Sequence, residues 1–133
     1  MEKKFLFGVC VMLLTLSKEG VPQAEPNFYP NTSFGIASWY SESDPGINRN
    51  TANGEIFDDS KKTCASWDFP FGTHLQVTHL TNGKTVVCRV NDRGPAKRLG
   101  RVIDLTRGAF QEIAPLHVGL IPVKVEVTGP RNP

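Results

Sequence analysis

Lys84-Thr85-Val86-Val87-Cys88-Arg89-Val90-Asn91-Asp92-Arg93-Gly94-Pro95 is the stretch on which the fold turns. Its first half is rich in β-branched residues, which suit a pleated, half-buried surface, so it reads as a strand. Its second half gathers Asn, Asp, Gly and Pro, the residues of sharp turns, so the chain leaves the sheet abruptly there. One carboxylate, Asp92, therefore stands at a strand's exit with Arg89 and Arg93 beside it. Just upstream, His74 to Leu80 alternates Leu75, Val77 and His79 against Gln76, Thr78 and Leu80, the pattern of a half-buried strand. Asn82-Gly83 joins the two runs as a hairpin.

Outward from this hairpin the chain offers further short strands. Phe34 to Tyr40 is compatible with one, and Ser41 to Asn50 is a polar loop broken by Pro45-Gly46. Thr51-Ala52-Asn53-Gly54-Glu55 is a second acidic turn, with Ile56 and Phe57 placed to anchor it in the core. Downstream, Arg101 to Thr106 reads as a strand and Arg107 to Ala114 as a short helix capped by Thr106, with Phe110, Ile113 and Ala114 on one face. Pro115 ends that helix, and Val123 to Thr128 alternates cleanly as a last strand. Short strands separated by turns, with one short helix, suggest a small β-barrel.

The ends bound the compartment. Lys3 and Lys4 precede an apolar run from Phe5 to Leu16, the plan of an export signal too short to span a bilayer comfortably. An uncleaved anchor or a buried N-terminal helix is the alternative. A cut after Ala24 makes residues 1–24 the signal and 25–33 a Pro- and Asn-bearing linker, and leaves one domain over 34–130. The product is expected to be periplasmic or secreted. Cys10 lacks the small residues that precede a lipid-modified Cys, so no lipoprotein is evident. Cys64 and Cys88 remain, and an even pair in an exported chain reads as a disulfide, worth about 3 kcal/mol in the chain-entropy model, with two buried thiols as the alternative.

The formal net charge of +2 says little, but its distribution says more. Arg89, Arg93, Lys97, Arg98, Arg101 and Arg107 cluster in the second half, while the first half is acidic. Without interleaved aromatics, and in an exported chain, this patch argues against nucleic acid. It suits a solvated face or a rim for a carboxylate-bearing polymer. Absence of a CxxC motif, or of a His pair at ligand spacing, gives no reason to expect a metal or other cofactor.

Taken in order, Gly35-Ile36-Ala37-Ser38-Trp39-Tyr40, Thr51-Ala52-Asn53-Gly54-Glu55, Leu75-Gln76-Val77-Thr78, Asn82-Gly83-Lys84-Thr85-Val86-Val87, Val90-Asn91-Asp92-Arg93-Gly94-Pro95 and Val102-Ile103-Asp104-Leu105-Thr106 resemble the rare lipoprotein A (RlpA) family. The resemblance implies a mainly β fold, a six-stranded double-psi β-barrel with one short helix. It further implies an endolytic lytic transglycosylase that cuts the β-1,4 bond between N-acetylmuramic acid and N-acetylglucosamine in peptidoglycan glycan strands, leaving 1,6-anhydromuramyl ends. By position, Glu55 and Asp92 match the family's functional carboxylates. Asp58 matches an acidic position three beyond the Glu, and Asp104 one where related barrels keep a catalytic or binding Asp. Where many members have His after Thr-Ala-Ala, this chain has Ser66 after Thr63-Cys64-Ala65.

The expected catalytic pair is Glu55 and Asp92, with roles unassigned. Asp58, Ser66, Trp67, Arg89, Arg93 and Asp104 are expected around the substrate of a monomeric protein. Arg89 and Arg93 should keep Asp92 ionised unless they are paired elsewhere. Plainer readings stand beside these: solvated turn residues for Glu55 and Asp92, surface charges for Asp58 and Asp59, and backbone amides at the helix start as partners of Asp104. Trp39 reads as core, Tyr40 and Trp67 as core or sugar platform. His74, His79 and His117 are expected exposed or hydrogen-bonded. The rival function is a non-catalytic, expansin-like wall binder; a secreted effector that binds a protein is a third.

Overall fold

The computed structural model describes residues 31–129, so the proposed signal and most of the linker lie outside the described residues. Six strands close into a barrel: β1 (Thr32–Tyr40), β2 (Thr63–Ala65), β3 (His74–His79), β4 (Thr85–Asp92), β5 (Ile103–Thr106) and β6 (Ile121–Val127). The order around it is β1-β5-β2-β4-β3-β6. β1 runs parallel to β5 and β2 parallel to β4, while the remaining pairs are antiparallel. Among the described residues a single short α-helix, α1 (Arg107–Gln111), follows β5. This is the six-stranded barrel with one helix that the strand pattern and the family resemblance imply.

Period-two alternation builds the core. Leu75 and Val77 of β3, Val86, Cys88 and Val90 of β4, and Ile121, Val123 and Val125 of β6 point inward and are buried. Ile103, Leu105, Phe110 and Ile113 belong to the same cluster. The β3–β4 hairpin turns at Asn82-Gly83 as expected, with His79 N–H donating to Lys84 O at 2.8 Å and Asn82 Nδ2 reaching Ile113 O at 3.0 Å. Cys64 and Cys88 form the expected disulfide, tying β2 to β4.

Local differences from the sequence reading have physical causes. The first strand starts at Thr32, ahead of Phe34, because β6 extends far enough to pair with it at Glu126. The helix stops at Gln111, short of Ala114, although Ile113 and Ala114 stay buried through bonds from their N–H groups to Phe110 O. Thr106 caps it as expected, accepting from Ala109 N–H. Asp104 does not bond the helix-start amides; its carboxylate accepts from the Ser38 hydroxyl of β1 instead. Asp59 is no surface charge either. It is buried, receiving Glu42 N–H at 3.0 Å and the Arg107 guanidinium at 3.0 and 3.3 Å. Gly108 packs against that loop so closely that a Cβ there would lie 2.6 Å from Ser60 O.

Candidate functional site

The site lies on the outward face of β1, β5, β2 and β4, beneath the loop from Ser41 to Phe57. On β1, Ser38 and Tyr40 share this face, opposite Trp39, which packs on the core and donates from Nε1 to Leu116 O at 3.0 Å. β5 runs beside β1 with Ser38 opposite Asp104, and Ser38 Oγ donates to Asp104 Oδ1 at 3.1 Å. Ala65 on β2 pairs with Asp104 on one side. On the other, a bulge shifts the register, so that Cys64 faces Val90 but Ala65 faces Asp92, skipping Asn91. Such a bulge re-aims side chains. Here it brings Asp92 to the face that carries Asp104, with only the Ala65 methyl between them. The two Cα atoms are thus two strand spacings apart, about 10 Å.

Around this pair is a groove of about 590 Å³ whose lining includes Tyr40, Asp44, Ala65, Asp92, Arg93 and Asp104. The Pro45–Asn48 loop and residues Asn50 to Ala52 form one wall, and Gly94 to Ala96 the other. Asp92 is oriented by three donors: Tyr40 OH to Oδ2 at 3.2 Å, and the N–H groups of Ala52 and Arg93 to Oδ1 at 3.0 and 2.9 Å. Tyr40 stacks on Phe57 with ring centroids 4.7 Å apart. Burial, with Asp92 and Asp104 adding to it, raises the Tyr40 phenol far above its ordinary value, so it donates and does not ionise. Burial also pushes Asp104 up to about 6, opposed by the Ser38 bond and Arg101 and helped by Asp44 and Asp92.

Glu55 is placed differently. It does not line this groove; its carboxylate faces the outer surface of β4. Arg89 holds it with two parallel bonds of 2.6 and 2.8 Å, Asn53 Nδ2 donates at 2.8 Å, and Asn91 Nδ2 at 3.2 Å. The Arg89 fork, with Asn53, lowers Glu55 to about 2. Neither guanidinium beside Asp92 reaches its carboxylate. Arg89 is committed to Glu55, and Arg93 Nη1 donates to Ser66 O and Phe69 O while its guanidinium lies 3.8 Å from the Phe71 ring centroid.

The other expected site residues scatter. Ser66 is fully buried, its Oγ accepting from Asp68 N–H, so it has no surface to offer a substrate. Asp58 bonds Ser60 and lies with Glu42 and Asp59 in an acidic cluster outside the groove lining, where Arg107 already supplies a cation to Asp59. Trp67 is half-exposed: Nε1 donates to Pro95 O at 2.7 Å and Lys97 Nζ lies 5.0 Å from its ring centroid. Phe57 anchors the acidic turn, but Ile56 points to solvent. His79 is buried and its Nδ1 accepts from Asn82 N–H. Sequence reading missed Ser38, Asp44 and Ala65 as groove residues and offered Tyr40 only as core or sugar platform; the i, i+2 spacing of Ser38 and Tyr40 was the available signal. A separate hollow of about 350 Å³, lined by Asn82, Lys84, Gln111 and the residues from Ile113 to Leu116, has no carboxylate in its lining. Among the described residues no helix is long and apolar enough to cross a membrane.

Comparison with known proteins agrees with this architecture. The family described as lytic transglycolase matches residues 32–125. A probable endolytic peptidoglycan transglycosylase RlpA from Nostoc is 47% identical over 95 residues, covering 71% of this chain and 25% of the relative. The endolytic peptidoglycan transglycosylase RlpA of Campylobacter jejuni is 43% identical over 99 residues, covering 74% and 34%. The chain thus spans about a quarter to a third of the length of these curated relatives. Among solved structures, a Streptomyces papain inhibitor superposes with a TM-score of 0.59 at 24% identity, over 74% of this chain and 96% of the inhibitor. An expansin from Clavibacter michiganensis gives 0.58 at 26%, over 77% and 53%. One barrel thus recurs in proteins with different names, and its sequence singles out one group: the chain belongs to the lytic transglycolase family and carries the RlpA-type double-psi β-barrel.

Proposed function

We propose that this barrel is an endolytic peptidoglycan lytic transglycosylase acting outside the cytoplasm as a monomer. The observation that carries the reading is the placement of Asp92 and Asp104 on either side of Ala65 in one groove. With its affinity for protons raised towards neutrality, Asp104 is suited to proton transfer in both directions. It protonates the glycosidic oxygen as the C1–O4 bond of the muramyl residue breaks. Once ionised, it takes the proton of the muramyl 6-hydroxyl as O6 bonds to C1, which closes the 1,6-anhydro ring and returns Asp104 to its starting state. Asp92, oriented by Tyr40 and two backbone N–H groups, faces the positive charge that develops on the sugar ring. The Trp67 ring, fixed beside the Pro95 wall, offers a platform for a neighbouring sugar, and Lys97 and Arg101 a cationic rim for lactyl carboxylates.

The test is chemical. Purified protein is incubated with glycan strands stripped of peptides, and 1,6-anhydromuramyl ends are counted by mass spectrometry. Asp92→Asn and Asp104→Asn are each expected to lower the rate by about 100-fold or more with folding intact. Full activity in either variant removes that residue from the mechanism. Binding to pelleted wall without new ends favours the expansin-like reading.

A further inference from the structure

The geometry points to a positioning role for Glu55: paired with Arg89, it is the strut that holds the Thr51–Glu55 turn against β4 and so keeps the Ala52 N–H on Asp92. This inference rests on the proposed transglycosylase reading, within which it moves Glu55 from the chemistry to its support. Four N–H donors converge on the Glu55 carboxylate, and three of them come from Arg89 and Asn91, the residues immediately before the Asp92 turn on β4. The same turn meets β4 twice more, through Asn53 N–H to Asn91 O at 3.2 Å and Ala52 N–H to Asp92 Oδ1 at 3.0 Å. Asn91 is buried and gives its amide N–H to Glu55 although its Oδ1 has no partner among the described residues. Gly54, with φ of 93°, lets the chain reverse tightly enough for Glu55 to fold back on this network. Thr51 and Ala52 are groove wall as well as turn. Glu55 therefore acts on the site through Ala52, and its carboxylate, held ionised by the Arg89 fork, has no proton to give.

A double-mutant cycle with two readouts tests this. Glu55→Gln, Arg89→Met and the double variant are compared with wild type by amide hydrogen exchange at Ala52 and by kcat and KM on stripped glycan. Arg89→Lys serves as the conservative variant. If the pair is a strut, each single variant speeds Ala52 exchange by about tenfold or more and lowers kcat by a similar factor. The double is then no worse than the poorer single, because both remove the same link, and Arg89→Lys falls between wild type and Arg89→Met. Unchanged Ala52 exchange in Glu55→Gln overturns the proposal. So does an inactive Glu55→Gln beside a fully active Arg89→Met, which returns Glu55 to the chemistry. A wild-type protein that makes no anhydro ends defeats the proposed function instead, and Ala52 exchange still decides whether the strut exists.

Discussion

Asp104→Asn should make this protein more stable and less active, and the gain should depend on pH. Folding carries Asp104 from its ordinary 3.8 to about 6 by burying it. A carboxyl raised on folding leaves its stabilising balance intact below about pH 3.8, and stability is lost as pH rises through about 6, where the buried group must ionise. A shift of that size corresponds to a ceiling of about 3 kcal/mol. Asn has nearly the same shape, still accepts from Ser38 Oγ and never ionises, so it avoids this loss. Thermal unfolding followed by circular dichroism at about pH 4 and pH 8 reads the difference, since other groups titrate alike in both proteins. The two proteins should unfold at similar temperatures in acid. At the higher pH the variant should gain about 1–3 kcal/mol, or roughly 5–15 °C for a domain of this size. A variant less stable than wild type at high pH, or a gap that does not change with pH, refutes the account of Asp104 as a buried proton store.

The remaining expectations concern the frame. Gly108→Ala should cost about 2 kcal/mol or more in urea unfolding, because the added methyl would sit 2.6 Å from Ser60 O while Gly108 N–H bonds Asp59 O at 2.8 Å. An unchanged midpoint would mean that the loop yields freely. Reducing the Cys64–Cys88 bridge, confirmed by a gain of about 2 Da, should lower stability by about 3 kcal/mol, since it closes a loop of sequence separation 24. A melting temperature that does not move on reduction contradicts that estimate.

Read alone, the sequence determined what depends on near neighbours along the chain. The alternation of Leu75 and Val77, then Val86, Cys88 and Val90, marks two strands whatever they pair with, because side chains on a strand alternate with period two. Asn82-Gly83 joins them, and Asn91 to Pro95 ends the second, so Asp92 at a strand's exit was legible. Tertiary structure decided which carboxyl would stand opposite it. Glu55 sits next to a turn signal much as Asp92 does, yet the Arg89 fork draws it to the outer surface of β4. Asp104 read as a substrate contact or a partner of the helix-start amides, but not as one of the central pair; parallel pairing of β5 with β1 sets it on Ser38, and one skipped residue opposite Ala65 turns Asp92 towards it. Register is a relation between segments far apart in the chain, and a one-residue shift reverses which face a side chain takes. Local pattern carries no record of that choice; closure of the barrel makes it.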